Sequence, residues 1–168
     1  MAKDTDPRIW IANDHGGYLM KKELVRYFED HDVPYRDLGC ESEEIVRYPY
    51  YAGEVASAVS RGEIARGVLI CSTGIGMSLV ANRYRGVRAS HCTSTYQARI
   101  TRAHNDSNIL CLGGKVTGVF EALDMLAVWL ETPYDGGRHD ISLGLLEDAE
   151  RCIAEEGDWD PAQITERR

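Results

Sequence analysis

Apolar residues along this chain keep two rhythms. Five short runs have the density of strands: "RIWIAND" from Arg8, "VPYRDLG" from Val33, "GVLICS" from Gly67, "GVRASHC" from Gly86 and "SNILCLGG" from Ser107. The third run shows no polar alternation, as expected where both faces of a strand are covered. Between the runs, apolar residues return every three or four positions, which predicts helices. Leu19, Leu24, Val25 and Phe28 mark one after Tyr18, and Ala52, Val55, Ala56 and Val59 a second. A third spans about Gly76 to Tyr84. "STYQARITRAH", "FEALDMLAVWLE" and "ISLGLLEDAERCIAEE" complete the set. "HGG" at His15 reads as a turn.

Strands alternating with helices predict an α/β fold, a three-layer α/β/α sandwich with a five-stranded parallel sheet of Rossmann-like type. One domain is expected over residues 1–156. The polar segment 157–168, with Pro161, reads as a loosely held tail. In such sheets, ligands bind beyond the carboxyl ends of the strands.

Composition narrows the partners. The chain has 168 residues, 43% of them hydrophobic, enough for one core. Its formal net charge of -8 argues against a nucleic-acid or anionic-membrane partner, since phosphate backbones reward surplus Lys and Arg. No apolar stretch approaches the roughly 20 residues that span a bilayer. "MAKDTDPRIW" lacks the apolar core of a signal peptide. The five cysteines, Cys40, Cys71, Cys92, Cys111 and Cys152, form no C-x-x-C pair, so the expectation is a cytoplasmic protein with reduced thiols.

Candidate chemistry gathers at two predicted strand ends. Asn13, Asp14, His15, Gly16 and Gly17 follow the first strand; Cys71, Ser72, Thr73, Gly74 and Gly76 follow the third. The second group opens a helix, where backbone N–H groups can face an anion. Two readings stand: the glycines only make tight turns and Cys71 is a buried hydrophobe, or a small ligand sits there. A cysteine phosphatase would need Arg where Met77 stands. A P-loop would need Gly-Lys-Ser or Gly-Lys-Thr, and a dinucleotide fingerprint a glycine where Leu79 stands. A small phosphorylated or polyhydroxyl ligand is the better fit. His104 just after a helix could be a C-terminal cap, and Arg138, beside His139 in a glycine loop, a solvated cation or a phosphate fork. His31 and His91 receive no role.

"NDHGG", "YPYYA", "GVLICSTGIGMSLVANRYRGVRA", "HNDSNILCLGGKVTG" and "YDGGRH" occur in the order found in type B ribose-5-phosphate isomerases, and the chain resembles that family from about Arg8 to His139. Galactose-6-phosphate isomerase subunits are its relatives. The resemblance implies reversible aldose–ketose isomerisation of a sugar phosphate without metal or cofactor. It also implies a homodimer, or a tetramer built on it. Cys71 matches the family's proton-transfer base; some members use a Glu six residues on, but here that residue is Met77. His104 resembles the ring-opening residue, assisted by Asp14 and Thr73. His15 and Arg138 resemble phosphate ligands, and Asn105 a residue that holds sugar hydroxyls. Ser72, Gly74 and Gly76 fall in the turn whose N–H groups would receive the substrate.

Three positions depart from the family pattern: Arg47 replaces an acid, Lys115 an Arg, and Ser142 a second Arg one helical turn after Arg138. Ser142 also reads as a helix cap. The default substrate pair is ribose 5-phosphate and ribulose 5-phosphate. The alternatives are a four- or six-carbon sugar phosphate or other pentose derivative, or binding without catalysis. In a parallel sheet Cys71 should lie at the carboxyl edge and His104 at the opposite one, which predicts a site shared between subunits.

Overall fold

Three of the five apolar runs become strands in which every residue is buried: β1 (Ile9–Asn13), β3 (Gly67–Cys71) and β5 (Ile109–Gly113). The other two give β2 (Tyr35–Asp37) and β4 (Ala89–His91), each half the expected length or less. Their shortness has a positional cause. The sheet is parallel with order β2-β1-β3-β5-β4, so both are edge strands with one neighbour and partial solvent exposure. The computed structural model describes residues 5–161.

Six α-helices follow: α1 (Tyr18–Asp30), α2 (Tyr48–Ser60), α3 (Ile75–Ala81), α4 (Thr95–Asn105), α5 (Val119–Glu131) and α6 (Arg138–Glu156). Travel along the sheet decides the face each covers. The steps β1 to β2 and β4 to β5 run one way; β2 to β3 and β3 to β4 run the other. With crossovers of one hand, α1 and α4 must fall on one face and α2 and α3 on the opposite one. The core obeys this. Leu24, Phe28, Ala98, Met125, Leu126 and Trp129 pack over Ile11, Val68, Ile70 and Leu112. Ala52, Val55, Ala56, Met77 and Ala81 pack over Ala12, Leu69, Ile109 and Cys111. Alternation along β3 therefore sends Val68 and Ile70 to one face and Leu69 and Cys71 to the other. Each fully buried branched aliphatic contributes about 1.5–3 kcal/mol of transfer free energy.

Four helix ends differ from the sequence expectation. α2 begins at Tyr48, ahead of its apolar stripe, with a proline in its first turn where no N–H is needed. α4 runs through Asn105, so His104 lies inside its last turn and is not the cap. That position is Asp106, at φ 45 and ψ 46. α6 begins at Arg138, so this residue opens a helix and does not sit in a loop. Ser142 lies inside α6 and does not cap it; the N-cap is Gly137.

The chain divides into two compact units with the boundary between Tyr134 and Asp135. The second contains α6, which is capped at its C-terminus by Gly157 in the left-handed conformation (φ 83). Residues 158–160 are irregular, and the end of the expected tail, from 162 on, lies outside the described residues. Among the described residues no helix is long and apolar enough to cross a membrane.

Candidate active site

Strand order reverses direction between β1 and β3, so a crevice opens beyond their carboxyl ends. The two predicted residue clusters meet there. The Asp14 backbone N–H donates to the Ile70 carbonyl at 3.1 Å, tying the first loop to β3. The Asp14 carboxylate, 5% exposed, accepts from the Gly16 N–H at 2.8 Å and so caps a 3-10 turn over His15–Gly17. Gly16 lies against Ser72 so closely that a Cβ there would overlap the Ser72 hydroxyl and stand 2.8 Å from its backbone nitrogen. The loop after β5 closes the third side. The Gly114 N–H donates to the Cys71 carbonyl at 2.8 Å, and the Lys115 N–H to the Ser72 carbonyl at 3.0 Å.

Cys71 is the last residue of β3, 5% exposed. Its Sγ accepts a hydrogen bond from the Gly74 N–H at 3.1 Å. That geometry requires Gly74 at φ 80, a left-handed conformation in which a side chain is strained. A thiol acts as base or nucleophile in its anionic form, and the Gly74 N–H is a backbone donor facing this sulfur. Cys40 also accepts an N–H at sulfur, from the Asn13 side-chain amide at 3.2 Å, but it lies after β2 and not at the end of β3. Burial pushes Cys92 up to about 12 and Cys111 well above its ordinary value, keeping both as neutral thiols. Met77, fully buried against α2, offers no alternative base.

One wall of the crevice comes from the segment before α2. The His15 Nδ1 faces the Val46 carbonyl at 3.2 Å and the Val46 N–H at 3.3 Å; the tautomer decides which bond forms. The Tyr48 ring lies over Gly76, its nearest atoms 2.9–3.3 Å from where a Cβ would be. Arg47, between them, is exposed and at the N-cap position of α2. Sequence reasoning missed His91. Its ring presses on Gly74 from β4, and its Nε2 is buried without a hydrogen-bond partner among the described residues. A lone histidine on an edge strand gives no periodic signal, so only the fold reveals its place.

Asp14, His15, Cys71, Ser72, Thr73, Gly74, Gly76 and Lys115 are thus brought to one edge. His104 and Asn105 are not. They end α4, just before β5, and β5 runs in register with β3 (Ile109 beside Gly67, Gly113 beside Cys71). They therefore lie near the amino edge, separated from Cys71 along the strands by about 13 Å at 3.3 Å per residue. Asn105 lines a cleft of about 350 Å³ with Ser90, His91 and Thr101. Arg138 belongs to the second unit, at the start of α6.

Comparison with known proteins gives the same direction. Residues 9–145 match the family model described as Ribose/Galactose Isomerase. The ribose-5-phosphate isomerase B of Escherichia coli is 43% identical over 132 residues, 79% of this chain and 89% of that protein. The structure of Clostridium thermocellum ribose-5-phosphate isomerase B superposes with a TM-score of 0.83 at 42% identity, covering 86% of this chain and 97% of that one. A Mycoplasma genitalium ribose-5-phosphate isomerase B with bound ribulose 5-phosphate gives a TM-score of 0.82 at 29% identity, covering 88% and 98%.

Proposed function

The chain belongs to the ribose/galactose isomerase family, and on that premise we propose that it interconverts ribose 5-phosphate and ribulose 5-phosphate through a cis-enediolate, with Cys71 as the base. The carrying observation is the Cys71 sulfur at the carboxyl end of β3, with the Gly74 N–H directed at it. In the aldose-to-ketose direction the thiolate takes the proton from C2 of the open-chain sugar. The electron pair forms the enediolate, and the proton returns to C1 as one moves from O2 to O1. Preorganised donors stabilise the developing oxyanion. The amides of the Thr73–Ser78 turn suit that role, except for Gly74, whose N–H is committed to sulfur, and Ser78, whose N–H donates to the Gly74 carbonyl at 3.2 Å.

Asp14 and Thr73 assist ring opening, and Ser72 and Gly76 receive the sugar; the expected substrate role of the Gly74 N–H gives way to its bond to sulfur. His15, Lys115 and Arg138 hold the phosphate. Lys115 supplies a point charge in place of the family's guanidinium fork. Ring opening falls to His104, and Asn105 holds sugar hydroxyls, both from the partner subunit of a homodimer. The support is topological: within one chain the two groups end opposite edges of the sheet. A two-fold axis can bring His104 of the partner subunit to Cys71. A thiol base also requires a reducing compartment, which favours the cytoplasm.

Two assays test the reading. Turnover across a panel of four-, five- and six-carbon sugar phosphates should be highest on ribose 5-phosphate; a better substrate of another length would displace it. Mixed Cys71→Ala and His104→Ala chains should regain one working site per heterodimer. No recovery after verified subunit exchange would reject the shared site.

A further inference from the structure

The residues that end α4 are held by a charge network the reaction itself does not account for. Asp106 follows Asn105 in the left-handed conformation (φ 45), unusual for a residue with a side chain. Two arginines grip it. Arg102, one turn earlier and 5% exposed, donates to its carboxylate at 2.7 Å and to the Ser107 carbonyl at 2.6 Å. Arg88, just before β4, donates to the other carboxylate oxygen at 2.8 Å. The Arg88 Nε also faces two successive backbone carbonyls, Asn105 and Asp106, each at 3.0 Å.

The network is anchored in the core. The Arg102 guanidinium lies over the fully buried Trp129 ring at 5.8 Å from its centre, and the Trp129 Nε1–H donates to the buried Ser107 hydroxyl at 2.8 Å. The Arg102 Nε is buried with no partner among the described residues, so the side chain is held here at a desolvation cost. Helix ends ordinarily fray. This one is closed by two guanidinium groups at the peptide that follows His104 and Asn105.

We propose that Arg88, Arg102 and Asp106 are positioning residues that set the pose of His104 and Asn105 for isomerisation, which rests on the reading that those two residues serve the site. None of the three touches substrate. Their effect is to hold a reacting group within the fraction of an ångström that a proton-transfer or ring-opening step demands, where a misplacement of about 1 Å can cost about 100-fold.

Two variants separate positioning from bulk stability. Arg88→Lys keeps a cation but loses the planar fork. Asp106→Asn tolerates the left-handed backbone but loses the charge. Both should fold with kcat lowered about 10- to 100-fold, kcat falling more than KM rises. In subunit mixing each should behave as a His104-side defect, regaining activity with Cys71→Ala chains and none with His104→Ala chains. The NMR signal of the His104 ring should shift or broaden in both. Wild-type kcat in both variants, or activity lost only in proportion to unfolded protein, would overturn the proposal, as would recovery with His104→Ala. If one variant fails to fold, the other carries the test.

The outcomes also distinguish this proposal from the reading it rests on. If Cys71→Ala and His104→Ala chains do not complement each other, the shared site fails, and the kcat–KM split of the variants still judges the clamp. If His104→Ala itself turns over normally, the catalytic reading of His104 fails. An unmoved His104 signal in both variants then rejects positioning as well.

Discussion

Gly74→Ala places a single methyl between β4 and β5, against His91 and Leu112. At φ 80 an L side chain is strained by about 1–2 kcal/mol. The added Cβ would stand 2.6 Å from His91 Cδ2 and 2.9 Å from the Leu112 carbonyl carbon. The imidazole can swing aside, but Leu112 lies in β5, an interior strand of the sheet, and cannot. The turn must therefore retreat by several tenths of an ångström, adding about 1–3 kcal/mol of overpacking. That retreat draws the Gly74 N–H away from the Cys71 sulfur, now 3.1 Å distant. A hydrogen bond to a charged group contributes about 1.5–3 kcal/mol, which converts to a loss of roughly 10- to 100-fold in kcat/KM. Gly62→Ala is the control: φ is 68, but nothing lies within 4 Å of the new methyl. It should cost about 1–2 kcal/mol of strain and leave turnover unchanged. Urea melts and initial-rate assays on both variants decide the matter. Equal kcat/KM in the two folded variants would refute the argument that the Gly74 amide serves the sulfur.

Burial raises the folded-state values of Cys92, to about 12, and of Cys111 above their unfolded value. Their neutral thiols therefore contribute stability that is complete below about pH 8.5 and lost as pH rises toward 12. The urea midpoint should fall across that alkaline range, and a folded Cys92→Ala variant should flatten the fall. The ammonium of Lys21, whose side chain is 5% exposed, pairs with Asp37 at 2.8 Å and donates to the Cys40 carbonyl at 3.0 Å. Asp37→Ala should destabilise by about 3 kcal/mol in chemical denaturation, because it strands a buried cation. Ser142→Arg restores the cation of the family pattern and should lower KM for ribose 5-phosphate in a rate assay.

The interior strands and helix faces were legible in the sequence because burial on both sides leaves unbroken apolar runs, and because amphipathic helices repeat every three or four residues. β2 and β4 were overextended for the same reason: Val33 and Val87 are apolar, but an edge strand stops where its single partner stops. Helix ends were less legible. Asp106 caps α4 through a left-handed backbone and two arginines, one of them 18 residues away, so the cap was read two residues early, at His104. Asp14 and Cys71 were placed at strand ends because glycine turns after apolar runs mark those ends. His91 reaches Gly74 only through the pairing of β4 with β5, which no local pattern encodes.

The central claim is that Cys71 carries the proton between C1 and C2. Its most direct test is solvent deuterium incorporation during turnover of ribose 5-phosphate in D2O, followed by NMR. The wild-type chain should form ribulose 5-phosphate carrying deuterium at C1. Cys71→Ala, with an unchanged circular dichroism spectrum, should neither convert the sugar nor exchange its hydrogens. Conversion or exchange by the folded variant at a rate near that of wild type would contradict the account.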